Sequence, residues 1–162
     1  MKIEHLEEHV NDYKNSIKTV VEKKIYWQTQ TKNLLIATLN TIVEKYTIGW
    51  RVQELNWINT NEAVNITFES FPPDLIESTN KIPSYQFIKG GSLIFSQSYN
   101  GDVHIFILFP LVENALDNSN ETEIETYAPE TINEKLIIEK VDEFLKEMIN
   151  WEVPSLKNKV GF

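Results

Sequence analysis

Three histidines, a single arginine (Arg51) and no cysteine set the side-chain chemistry open to this chain of 162 residues. Two of the histidines fall in His5-Leu6-Glu7-Glu8-His9, which fits H-x-x-E-H, the inverted zinc-protease pattern. Histidines at i and i+4 share a helix face, and a glutamate beside them is placed to act as a base. The context argues against catalysis. The pair lies at the start of the chain, it flanks an apolar seam through Leu6 and Val10, and no third ligand is marked. The expectation is a solvated helix face, with His5 and His9 at most an adventitious metal pair.

The third histidine lies between Gly90 and Pro110, where two β-rich runs flank Asn100-Gly101. That pair is a strong hairpin signal, because a type I′ turn needs positive φ at both central residues. With those two residues as the whole loop, Tyr99 faces Asp102, Gln97 faces His104 and Phe95 faces Phe106. Gln97, Tyr99, Asp102 and His104 then share one face and form a candidate binding or proton-moving set. The plainer reading is a polar cross-strand cluster at an exposed hairpin end. The same register sends Ser96 and Ser98 to the opposite face and so denies the hairpin a Ser-His-Asp triad. Trp50, Arg51 and Trp57, on an earlier run, are candidates for an aromatic recognition patch, against the commoner role of tryptophan in a core.

Two loops resemble sites only in part. Lys89-Gly90-Gly91-Ser92 lacks the spacing and the following helix of a phosphate loop, and reads as a turn. Asp117-Asn118-Ser119-Asn120-Glu121-Thr122 has the composition of a calcium loop. Thr122, however, stands where the turn glycine is needed, and Ala128 where the bidentate glutamate belongs. No cofactor is expected.

Whole-chain properties narrow the classes further. The net charge is −9, with 41% hydrophobic and 24% charged residues. An acidic chain is repelled by phosphate backbones, so nucleic acid is not an expected partner. A lone arginine argues against a large anion site. Without cysteine, disulfides, thiolate catalysis and cysteine-based metal centres are excluded. No apolar segment resembling a signal follows Met1. The longest apolar stretch, near Val103 to Val112, holds His104 and Pro110 and is too short to span a bilayer. A cytoplasmic protein with no membrane contact is the expectation.

The elements that would position these residues follow from hydrophobic periodicity. Ile3, Leu6, Val10, Tyr13, Ile17 and Val20 recur at alternating spacings of three and four, the pattern of a seam between helices. The pattern slips at Lys24, resumes at Trp27, and is followed by a second cluster from Leu34 to Tyr46. Unbroken, a helix over 2–46 is roughly 65 Å long, about twice the diameter of a small domain. Either it kinks near 29–32, or its first half projects and packs on another chain. Strands are expected over 50–57 and 64–68, a helical turn over 73–79, and strands at 85–88, 92–99 and 102–109. An acidic loop spans 112–129. Thr131-Ile132-Asn133-Glu134 reads as a capping box opening a C-terminal amphipathic helix.

The reading is therefore a single α+β domain over 1–154, followed by a tail at 155–162. It consists of helix 2–46, a sheet of about five antiparallel strands within 48–110, the acidic loop 112–129, and helix 131–150 packed on the sheet. No pairing of nucleophile and base stands out, so the expected function is non-catalytic: a protein–protein interaction domain of adaptor, inhibitor, immunity or chaperone-like type. Its expected partners are a second copy of itself, bound through the N-terminal helix, and another protein. The alternative is a small-molecule-binding domain or small enzyme with a pocket between sheet and helices near His104. A third reading, an acidic nucleic-acid mimic, requires the acids of 113–147 to lie in one stripe.

Overall fold

The computed structural model describes residues 2–56, 61–77, 90–110 and 121–152. A 3-10 turn, Ile3–Leu6, runs directly into helix α1, Glu7–Tyr26. The backbone stays right-handed helical through a π-helical segment, Trp27–Thr31, and on into α2, Lys32–Lys45. The helical path is thus continuous across the span where a kink was one of two expectations.

The π segment accounts for the slip in the hydrophobic pattern. Trp27, Thr31, Leu35 and Leu39 are all buried. Their four-residue spacing would drift about 40° per step around a regular α-helix. The wider π turn absorbs an extra residue and brings the four back onto one face. The Thr31 hydroxyl, in the last position of that segment, donates 2.9 Å to the carbonyl of Pro129 and ties it to the far end of the chain. Helix α2 ends at Tyr46, whose carbonyl accepts 2.7 Å from the Trp50 indole Nε1, so the first strand residue satisfies a carbonyl the helix leaves open.

Five strands follow: β1 Trp50–Asn56, β2 Glu62–Phe68, β3 Ser92–Gln97, β4 Val103–Leu108 and β5 Glu125–Tyr127. They lie side by side in chain order, every neighbour antiparallel. Alternation puts Val64, Ile66, Leu93, Phe95, Val103, Ile105 and Ile107 on one face, and all are buried. The last element, helix α3, Glu134–Glu152, covers that face with Ile137, Val141, Phe144 and Met148, beside Trp27, Leu35 and Leu39. Trp50 stacks on Phe68 at 5.5 Å, and Phe68 meets Phe144 at the same distance. The result is the α+β architecture the sequence implies: a long N-terminal helix, an antiparallel sheet and a C-terminal helix packed on it.

Two details of that reading change. Strand β5 comes from within the span read as an acidic loop. It lines the edge of β4 through Val103↔Tyr127, His104↔Thr126 and Ile105↔Glu125, while the strand expected at 85–88 lies outside the described residues. The cap of α3 is Asn133, whose side-chain oxygen accepts 2.8 Å from the Leu136 amide. Thr131 sits in the preceding 3-10 turn, Pro129–Thr131, and its hydroxyl donates to Ala128, so no capping box forms.

Candidate interaction surface

The β3–β4 hairpin decides the fate of the polar set. Ser98 and Asp102 close the ladder through Ser98 N to Asp102 O at 2.8 Å, and Gly101 N donates 3.0 Å to Ser98 O. The loop is therefore three residues, Tyr99-Asn100-Gly101, with Gly101 at positive φ, +90°. A third loop residue shifts the register by one. Gln97 now pairs with Val103, Ser96 with His104 and Ile94 with Phe106. Gln97 and His104 consequently point to opposite faces, and the expected shared face of Gln97, Tyr99, Asp102 and His104 does not form. Gln97 is buried on the helix side, while Tyr99 stands 80% exposed at the tip.

The same shift places Ser96 beside His104, where a two-residue loop would have separated them. The third member of a triad is engaged elsewhere: the Asp102 carboxylate accepts 2.7 Å from the Lys23 ammonium of α1. His104 lies on the sheet face opposite Phe95, Val103 and Ile105. Trp50 is nearly buried and stacks on Phe68, while Trp57 lies outside the described residues. Arg51, half-exposed, is ion-paired to Glu69 at 2.7 Å. His5 sits in the N-terminal 3-10 turn and His9 in α1, both exposed. Among the described residues, no group of three or more His, Asp or Glu is arranged to hold a metal ion. Thr122, from the calcium-like segment, hydrogen-bonds the Ile107 backbone through both its amide and its hydroxyl, each at 2.9 Å.

One ionic cluster, a nearly buried lysine between two half-exposed carboxylates, joins β5 to α3. The Lys140 side chain, 8% exposed, donates to Glu125 and, at 3.2 Å, to Glu143, and lies 5.8 Å from the centre of the Tyr127 ring. Burial pulls the lysine pKa down, but the two carboxylates outweigh it and push it up to about 12. The Lys140 hydrogen bond holds the Glu125 carboxyl below the usual carboxylate range, against a smaller opposing effect of burial. This lysine is a fixed charge, unsuited to act as a nucleophile or base near neutral pH. Lys135–Glu139 and Lys146–Asp142 pairs add cations along α3, so its acids do not form a stripe of one sign.

What remains unaccounted for is helix α1. None of its residues is buried. Leu6, Val10, Ile17 and Val21 are 46–48% exposed, Ile25 is 56%, Tyr13 66% and Ile3 84%. The body-facing side of the same helix is different. Gly101 packs directly against Lys23 and the Val20 carbonyl, and Trp27 is fully buried. Counting about 100° per residue, the apolar stripe lies roughly a quarter turn from Val20, Lys23 and Trp27. Val21 and Ile25, level with the sheet, border an open groove that they share with Glu62 and Gln97. Monomeric proteins rarely leave so long an apolar row facing solvent. Sequence reading found its seam as far as Val20. It missed that the row continues through Val21 and Ile25, because that continuation depends on how the π segment sets the helix against the body.

A separate apolar groove of about 390 Å³ opens between the end of α2 and α3, walled by Ile42, Tyr46, Ile48, Trp50, Val141 and Leu145. Among the described residues, no helix is long and apolar enough to cross a membrane. Compared with known proteins, the chain matches no family model, and no curated protein and no solved structure is significantly similar to it.

Proposed function

We propose that this chain is a non-catalytic protein–protein interaction domain that pairs with a second copy of itself through the apolar stripe of its N-terminal helix. One observation carries the reading: seven apolar side chains, from Ile3 to Ile25, form a single row on a helix that buries nothing. A helix gains most of its stability by packing an amphipathic face, and the part of this face from Ile3 to Ile17 stands exposed. A second copy offers the same row, and an isologous contact lets each copy cover the other. The sheet, α2 and α3 then serve as a folded body on which an adaptor, inhibitor or chaperone-like surface for another protein is displayed.

Several observations favour this reading over catalysis. The polar residues of the hairpin are divided between two faces, the Asp102 carboxylate is committed to Lys23, and the space between sheet and helices is filled by Trp27, Phe95 and Phe144. Light scattering behind size exclusion provides the test. The whole chain is expected to run as a dimer, and a Leu6→Asp/Val10→Asp/Ile17→Asp variant as a folded monomer. A whole chain that stays monomeric at high concentration would refute the proposal.

A further inference from the structure

The charges on α1 are sorted by position. Residues 2–12 hold Glu4, Glu7, Glu8 and Asp12 against one lysine, Lys2. Residues 14–24 hold Lys14, Lys18, Lys23 and Lys24 against one acid, Glu22. The two histidines, His5 and His9, fall in the acidic half. Lys23 is spent on Asp102, and Lys18 reaches Glu22 only at 4.0 Å in full solvent. Glu4, Glu7, Glu8, Asp12, Lys14 and Lys24 have no ion-pair partner among the described residues. The rod therefore presents an acidic half and a basic half, and one apolar row runs through both.

Resting on the self-association proposed above, we infer that the two copies pair antiparallel, the acidic half of each rod lying on the basic half of the other. A parallel pair would set acid against acid and base against base along its whole length. Like charges facing each other are destabilising, and opposite charges set orientation and register. The apolar row fits the reversed arrangement equally well. Measured from a point between Tyr13 and Lys14, Val10 and Ile17 are equidistant, as are Leu6 and Val21, so reversing one rod lays row on row. The antiparallel pair also sends the two folded bodies to opposite ends of the rod, each flanked by the N-terminal half of the other copy.

Because the chain has no cysteine, single engineered cysteines report the orientation cleanly. The variants Leu6→Cys, Ile17→Cys and Val21→Cys are oxidised singly and in pairwise mixtures, with the oligomeric state of the unmodified chain measured alongside. In an antiparallel pair the two copies of residue 6 lie more than about 15 Å apart, beyond the roughly 7 Å Cα separation a disulfide tolerates. The expected result is that Leu6→Cys alone gives no covalent dimer but gives one when mixed with Val21→Cys. Efficient self-linking of Leu6→Cys overturns the inference, as does a dimer in which the mixture of Leu6→Cys with Val21→Cys does not link. A chain that is monomeric throughout overturns the underlying self-association instead, which separates the two failures. Salt gives an independent check. Attraction between unlike halves is screened, so raising sodium chloride from about 0.05 to about 0.5 M should weaken the dimer severalfold. Strengthening would indicate like charges in contact and contradict the antiparallel pair.

Discussion

Replacing Val10 and Ile17 together by alanine separates a role in assembly from a role in folding. Val10 is 48% exposed and Ile17 46%. Fully burying such a side chain contributes about 1.5–3 kcal/mol, so covering the exposed half contributes about 1 kcal/mol each. An isologous interface counts each position twice. The double variant should therefore lose about 3–4 kcal/mol of association, which is roughly a 100- to 1,000-fold weaker dimer. The folded monomer should hardly notice. Neither side chain is buried within its own chain, and alanine is the better helix former, so stability should be unchanged or slightly raised. Sedimentation of the wild type and the variant gives the first quantity. Urea unfolding at concentrations below the dimer dissociation constant gives the second. An unchanged association together with a loss of about 1 kcal/mol or more in folding would refute the reasoning, since it would mean the stripe packs on its own body.

Other perturbations probe the supporting structure. Glu125→Ala/Glu143→Ala strands the Lys140 ammonium in a nearly closed site and should destabilise by about 3 kcal/mol in urea unfolding, whereas Lys140→Met, which leaves two solvent-reaching acids, should cost less than about 1 kcal/mol. That cluster also predicts a pH window. The depressed Glu125 pKa stabilises the fold above its unfolded value of 4.5, and that stability is lost as pH falls through the lower folded value. The raised Lys140 pKa stabilises below 10.5, and that stability is lost as pH rises through about 12. Unfolding midpoints of wild type should thus fall at both extremes, and Lys140→Met should flatten the alkaline limb. Gly49 has φ of +95°, and an added Cβ would lie 2.1 Å from the Ser70 carbonyl oxygen, so Gly49→Ala should cost about 3 kcal/mol or more in thermal unfolding. The Trp27 indole N–H is buried without a hydrogen-bond partner among the described residues, so Trp27→Phe should cost less than about 1.5 kcal/mol, well below a usual tryptophan truncation.

Much of the architecture was legible from period alone. The three-four seam from Ile3, the alternation through Val64, Ile66 and Phe68, and the stripe Ile137, Val141, Phe144 and Met148 each declare one element and its covered face. The site was less legible, for two local reasons. A hairpin signal such as Asn100-Gly101 fits a two-residue loop and also a three-residue loop that ends in glycine. The choice between them moves every side chain to the other face, and it reversed the relation of Gln97, Ser96 and His104. The π segment showed in the sequence only as a slip near Lys24 and as the span 29–32 where a kink was one of two expectations. What it does depends on Thr31 reaching Pro129, a contact across most of the chain that no local pattern encodes. Strand β5 is only three residues long, set in acidic surroundings, and is recruited by the open edge of β4 rather than by its own propensity.

The central claim is that the solvent-facing row on α1 is an assembly surface, and sedimentation equilibrium of the unmodified chain over a wide concentration range tests it most directly. The account predicts a reversible monomer–dimer equilibrium, with the dimer dominant at high concentration and no larger species. A single monomeric mass over the whole range would contradict it.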